Sequence, residues 1–230
     1  MLLWFFDSWL GGQVVMDAFR RVYPDIEMIL EMDKDNAPYG HLSGDEIRDL
    51  TKKWVQRLHD RWADVVILAC NTASVHALRY LQTEIFIGYH ILGVTVPWAE
   101  AVAEWGYKKI WVLATDATVR SGMYKERVHI LDDSIIVEEI GAPGLVPLIE
   151  QGIIIGTEID TLLREYLGQF SPNIEALVLG CTHYPLIRES IERTWTVLYD
   201  SKIPDLIDPG EEAAKRFRGW MDRHSFGYFA

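Results

Sequence analysis

The chain has 230 residues, 49% of them hydrophobic, a formal net charge of −12 and two cysteines. That length holds one large α/β domain or two small ones with ample core, and the acidic balance argues against nucleic acid as the main partner, because phosphate binding needs a basic surface. No run approaches the roughly eighteen apolar residues of a membrane span, and the opening MLLWFF is short, lacks a basic leader and runs straight into Asp7, so reduced thiols in the cytoplasm are the expectation.

In chain order, Leu2–Phe6 is a buried-strand candidate closed by Asp7 and Ser8 and followed by Gly11-Gly12. A helix fits Gln13–Tyr23, with Val15, Ala18, Phe19 and Val22 on one face. Pro24-Asp25 breaks it, and Ile26–Leu30 is the second strand. The polar loop Asp33–Gly40 ends in Pro-Tyr-Gly, a rigid turn carrying an aromatic hydroxyl. Ser43 with Glu46 has the form of a capping box and opens a helix bearing Ile47, Leu50, Trp54, Val55 and Leu58. Val65–Ala69 is the third strand, a helix runs through Val75–Leu81 after the polar CNTAS, and Ile91–Val94 is another strand.

From Pro97 the pattern restarts with helix Trp98–Trp105, strand Ile110–Ala114 and a threonine-rich turn at Thr115–Ser121. A helix around Met123–Ile130, a strand at Ile135–Glu138, a loop at Gly141–Gly144 and a short helix at Leu145–Glu150 follow. Thr157 with Asp160 is a second capping candidate, ahead of Leu162, Leu163, Tyr166 and Leu167. Strand Ala176–Leu179 stops at Gly180, and Pro185 suits the first turn of a helix over Leu186–Trp195. Asp205–Ile207 is a tail strand, and the last helix begins after Asp208-Pro209-Gly210.

Strands alternating with helices predict an α/β fold of mainly parallel sheets with helices on both faces. The restart near Pro97 predicts two pseudo-symmetric lobes: 1–96 plus 206–230, carrying Cys70, and 97–205, carrying Cys181, with the active site in the cleft between them. The two cysteines, 111 residues apart, each end an apolar strand and are each followed by polar residues. A lone cysteine reads as a small core hydrophobe; His183 alone reads as a cap, Glu150 as an exposed helix carboxylate and Tyr39 as a packing residue. Two thiols at matched strand ends, where open α/β sheets bind ligands, point instead to chemistry. The compartment opposes a disulfide, and neither cysteine has the second Cys or well-spaced His of a metal site. A thiol titrates near pH 8.5 and serves as base or acid after modest tuning. Two of them flanking one carbon can take a proton from one face and return one to the other, inverting a stereocentre without a cofactor.

The segments FDS-x-LGG, PYG, ACNTAS, ATDATVRS, VPLIE and GCTHYP, in this order and spacing, resemble the cofactor-independent glutamate racemases of the aspartate/glutamate racemase superfamily over nearly the whole chain. The resemblance implies that Cys70 and Cys181 are the acid/base thiols, the first acting on the D-isomer and the second on the L-isomer. It implies that Asp7 and His183 assist the respective thiols and that Glu150 is a further assisting carboxylate. Asp7, Ser8, Tyr39, Gly40, Asn71, Thr72, Thr118, Thr182 and His183 match residues that hold the amino acid. The substrate is then L- or D-glutamate, with aspartate or another small acid as the sister reading. The product supplies peptidoglycan, and a homodimer is usual.

The chain departs from this pattern at named points. Tryptophan stands at positions 4, 9, 62, 98 and 111, where the family typically carries glycine, and Met32 replaces a glycine before Asp33. Glycine permits positive φ or close backbone approach, and an indole removes both options. Trp9 is therefore expected to fill the pocket or to push apart the Asp7–Gly12 turn, leaving a binder that turns nothing over as a rival reading. Glycine codons translated as tryptophan, redesign, or drift after loss of activity each account for the pattern; ordinary tryptophan codons at all five positions remove the first.

Overall fold

The structure, a computed structural model, describes residues 1–224. Two four-stranded parallel sheets share one strand order. The first runs β2 (Glu27–Met32), β1 (Leu2–Asp7), β3 (Val65–Leu68), β4 (Ile91–Gly93). The second runs β6 (Ile136–Gly141), β5 (Lys109–Ala114), β7 (Ala176–Gly180), β8 (Asp205–Ile207). In each, the chain winds outward one way from the first strand and then reverses. The crevice beside that reversal, between β1 and β3 and between β5 and β7, is where such sheets take ligands. The internal duplication is thus real at the level of topology, and the two cysteines follow equivalent strands, β3 and β7.

The central strands β1, β3, β5 and β7 are buried on both faces, as crossover helices require. In the first lobe α2 (Gly44–Asp60) and α3 (Asn71–Tyr80) cover one face through Ile47, Val55, Leu58, Ala73 and Ala77. Helix α1 (Gly12–Val22) covers the other with α10 (Pro209–Arg223), where Phe19 meets Phe217 at 5.4 Å between ring centroids. In the second lobe α8 (Thr157–Leu167) and α9 (Arg188–Tyr199) pack one face, and α4 (Pro97–Trp105) and α6 (Met123–Leu131) the other.

The Ser43–Glu46 capping box forms with both bonds, Ser43 N–H to Glu46 Oε2 at 2.9 Å and Glu46 N–H to Ser43 Oγ at 3.3 Å. Several elements differ from expectation. Helix α3 starts at Asn71, not Val75, because the Cys70 sulfur accepts the Ala73 N–H at 3.4 Å and caps it. The threonine-rich turn is helix α5 (Asp116–Ser121), capped when Thr115 Oγ1 accepts the Thr118 N–H at 3.3 Å. Thr157 is no cap: it is the first residue of α8, behind Gly156 at φ +114°. Strand β6 continues to Gly141, past the two glutamates that mask its apolar pattern. Tyr184–Ile187 forms a 3-10 turn before α9. Strand β8 pairs with β7, so Leu206 and Ile207 belong to the second sheet, and the chain returns to the first lobe at Asp208, two residues beyond the expected 206. Residues 225–230 of that segment lie outside the described residues.

Of the five tryptophans at glycine positions, Trp62 alone has a positive φ, +61°, and its side chain is 87% exposed. An L-residue there carries a conformational cost of about 1–2 kcal/mol with no packing to offset it. Trp62→Gly is expected to raise stability by about 0.5–1 kcal/mol after allowing for glycine's unfolded-state entropy, read as a higher urea midpoint at unchanged slope. Trp4, Trp98 and Trp111 are buried with no partner for the indole N–H. Their rings are nonetheless packed: Trp111 stacks on Phe170 at 3.8 Å, Trp98 on Tyr124 at 4.7 Å, and the Arg61 guanidinium lies 4.2 Å over Trp4.

Candidate active site

The ends of β1 and β3 bring Asp7, Ser8 and Cys70 together. Asp7 is wholly buried; its Oδ1 accepts the Trp9 N–H at 2.9 Å and the Ser8 hydroxyl at 3.4 Å, while Oδ2 has no partner. Ser8 Oγ also lies 3.7 Å from Cys70 Sγ, so the hydroxyl bridges carboxylate and thiol. Capping of α3 by Cys70 sets Asn71 and Thr72 in the first helical turn beside it. Asn71 Oδ1 accepts the Tyr124 hydroxyl from the second lobe, which fixes the amide.

The end of β7 supplies Cys181, Thr182 and His183. His183 Nδ1 is 3.6 Å from Cys181 Sγ and 3.5 Å from Thr182 Oγ1. Its other ring nitrogen, Nε2, pairs with Glu150 Oε1 at the end of α7 (Leu145–Glu150). Both side chains of that pair are buried, so Glu150 is no exposed helix carboxylate. Thiol, imidazole and carboxylate form one line, the carboxylate fixing which imidazole nitrogen faces the sulfur.

The two halves meet. Thr72 Oγ1 of the first lobe lies 2.9 Å from Thr115 Oγ1 and 3.2 Å from Thr118 Oγ1 of the second. His76 Nε2 lies 2.9 Å from the Ala117 carbonyl. A Cβ on Gly11 would overlap Thr182 Oγ1 and come within 2.7 Å of His183 Nδ1, so the loop after β1 rests its bare backbone on the second-lobe motif. Gly11 and Thr115 were not singled out from the sequence; the Gly11-Gly12 pair and the Thr-x-x-Thr spacing were their only signals. Tyr39 is buried and its hydroxyl donates to Asp33 Oδ2 at 2.7 Å, so a ligand would meet the main chain of this turn and not the phenol.

Both thiols are free, Cys70 5% and Cys181 7% exposed. Burial pushes the Cys70 thiol up to about 12, with the Asp7 charge adding to it. Burial likewise raises Cys181, and Cys70 and Asp7 raise it further. Burial also lifts Asp7 to about 6 against the opposing pull of His183, the Trp9 and Ser8 N–H groups and the Thr182 hydroxyl. The site thus holds its two thiols in their neutral forms until a cationic group enters, whereas Asp7 is ionised above about pH 6. Among the described residues no group of three or more His, Cys, Asp or Glu side chains is placed to hold a metal ion.

Trp9 does not push the turn apart: Trp9 N–H still bonds Asp7, and Gly12 N–H donates to the Trp9 carbonyl at 3.4 Å. Its φ is not positive, and its partly buried indole packs against the second-lobe cluster that contains Cys181 and Tyr184. It is a contact across the lobes.

The two-lobed α/β fold thus sets a free thiol at equivalent strand ends of its two sheets, each with a polar partner. The Asp/Glu/hydantoin racemase family model matches residues 24–217, and the chain belongs to that family. Within it the similar relatives are glutamate racemases. That of Aquifex aeolicus is 35% identical over 228 residues, 99% of this chain and 86% of the relative. That of Jannaschia sp. is 39% identical over 82% of this chain and 75% of its own length. The crystal structure of glutamate racemase from Francisella tularensis in complex with D-glutamate superposes with a TM-score of 0.89 at 30% identity, covering 99% of this chain and 83% of that one. The aspartate racemase of Picrophilus torridus, TM-score 0.61 at 19% identity, shares the fold alone.

Proposed function

We propose that this chain interconverts L- and D-glutamate by moving a proton at Cα between Cys70 and Cys181. The observation that supports it best is the pair of thiols at equivalent strand ends, each with its own polar relay: Ser8 and Asp7 for Cys70, His183 and Glu150 for Cys181. The substrate ammonium, seated beside Asp7 and Ser8, favours the thiolate that burial disfavours. The thiolate on one side takes the α-proton, and the opposite thiol donates its own to the other face of the carbanion. The enzyme is left with the roles of its sulfurs exchanged. No step calls for a cofactor.

Thr72, Thr118 and Thr182 hydroxyls, the Asn71 amide and the main chain of Tyr39–Gly40 hold the two carboxylates, and closure over a dry site strengthens every such bond. With the thiols this enclosed, an amino acid enters only when the lobes part. Glutamate is preferred over aspartate because the similar relatives act on glutamate. D-Glutamate for peptidoglycan, a cytoplasmic location and a homodimer complete the proposal; no described helix is long and apolar enough to cross a membrane.

The rival reading, a racemase-like binder, is favoured by one observation: Trp9 packs across the lobes against the cluster that contains Cys181. Incubation of L-glutamate, and separately of L-aspartate, in deuterated water separates them. Deuterium at Cα with inversion of glutamate supports the racemase; a bound but unexchanged ligand supports the binder, and exchange of aspartate alone moves the substrate.

A further inference from the structure

Asp33, at the end of β2, is buried inside the first lobe yet carries no role in the chemistry above. Its Oδ2 accepts the Tyr39 hydroxyl at 2.7 Å, and both oxygens accept Asn36 Nδ2, at 2.9 and 3.1 Å. Its own N–H donates to the Asp7 carbonyl at 3.1 Å, which ties it to the strand end that bears the site. A carboxylate in the interior is costly unless it is hydrogen-bonded, and the donors that satisfy Asp33 are fixed in place by it in turn.

That geometry leads to the substrate-holding hydroxyls. Tyr39 is followed by Gly40, where a Cβ would come 3.0 Å from Thr115 Cβ and 3.2 Å from its Cγ2, so the turn is seated directly on Thr115 of the second lobe. Thr115 Oγ1 in turn lies 2.9 Å from Thr72 Oγ1 and 3.0 Å from Thr118 Oγ1. Burial and the Asp33 charge both hold the Tyr39 phenol protonated, so it remains a donor throughout the working pH range.

We infer that Asp33 is a positioning residue for the amino-acid site. Through Tyr39 it presses the Gly40 turn onto Thr115, and Thr115 aims the Thr72 and Thr118 hydroxyls at the substrate carboxylate. The inference rests on the reading of this cleft as a glutamate site. Asp33 touches no reacting atom, so its loss removes binding that ground and transition states share.

The test compares the full chain with Asp33→Ala, Asp33→Asn, Tyr39→Phe and the Asp33→Ala/Tyr39→Phe double variant. Steady-state racemisation is measured in both directions, with D-glutamate affinity by calorimetry and melting temperature alongside. Asp33→Ala and Tyr39→Phe are each expected to raise KM about tenfold, with kcat within about threefold. Asp33→Asn keeps an acceptor for the phenol and recovers most of that loss, and the double variant is no worse than Asp33→Ala. An unchanged KM with only a lowered melting temperature, or additive losses in the double variant, overturns the inference. Should the parent bind D-glutamate without racemising it, the proposed reaction fails, while a tenfold weaker D-glutamate affinity in Asp33→Ala still upholds the positioning role and an equal affinity refutes it.

Discussion

Asp7→Asn is expected to melt at a higher temperature than the parent at pH 8 while losing most of its racemisation. Asp7 is wholly buried, one of its oxygens has no partner, and burial lifts it from an ordinary 3.8 to about 6. A carboxyl whose folded value is raised binds its proton more tightly in the fold than in the unfolded chain. Its contribution to stability is therefore present below about pH 4 and lost as pH rises through about 6. At pH 8 the fold bears the ionised group at a cost of about 3 kcal/mol. Asparagine keeps an oxygen for the Trp9 N–H and the Ser8 hydroxyl and removes the charge. The gain corresponds to a rise of several degrees in a chain of this size, and it should vanish near pH 4. Melting curves of both proteins between pH 4 and pH 8 decide it: equal temperatures at pH 8, or a difference that ignores pH, defeats the electrostatic reading of the site. Activity falls because the ammonium group loses the anion beside Cys70. Stability surrendered at one buried carboxylate is thus tied to function.

Replacing one thiol at a time is expected to separate exchange from inversion. In Cys181→Ser the remaining Cys70 still abstracts the proton of the D-isomer and returns a solvent-derived one to the same face. The serine hydroxyl is too weak an acid and base to serve the other face at neutral pH. Racemisation should fall roughly 10²–10⁴-fold, with deuterium wash-in at Cα of D-glutamate persisting without inversion. Cys70→Ser should show the mirror result with L-glutamate. The relay predicts an asymmetry as well, since Cys181 is served by an imidazole held on a carboxylate and Cys70 by a hydroxyl. Loss of exchange with both isomers in both variants would remove the two-sided assignment, and full racemisation in either would remove the thiol concerned.

The alternation of strands and helices, the restart near Pro97 and the matched cysteines were legible from residues alone, because each follows from local periodicity and from polar residues placed just after apolar runs. So were Asp7, Ser8, Asn71, Thr72, Thr182 and His183, which sit within two residues of a strand end or a thiol. Glu150, 33 positions from His183, was legible only through resemblance; its burial against the imidazole is a tertiary fact. Thr115 and Gly11 meet residues of the other lobe, which their local spacing does not reveal, and Asp33 meets Tyr39 six residues on, a pairing that no periodicity marks. The same holds for the tryptophans: composition marks their number, but only packing separates Trp62, strained and exposed, from Trp111, stacked on Phe170.

Sequence by itself therefore determined the architecture and the chemical groups, since strand ends and caps are written within a few residues of chain. Tertiary structure alone decided which groups are charged and which are held. Desolvation, and hydrogen bonds between lobes, depend on what the rest of the fold brings within a few ångströms.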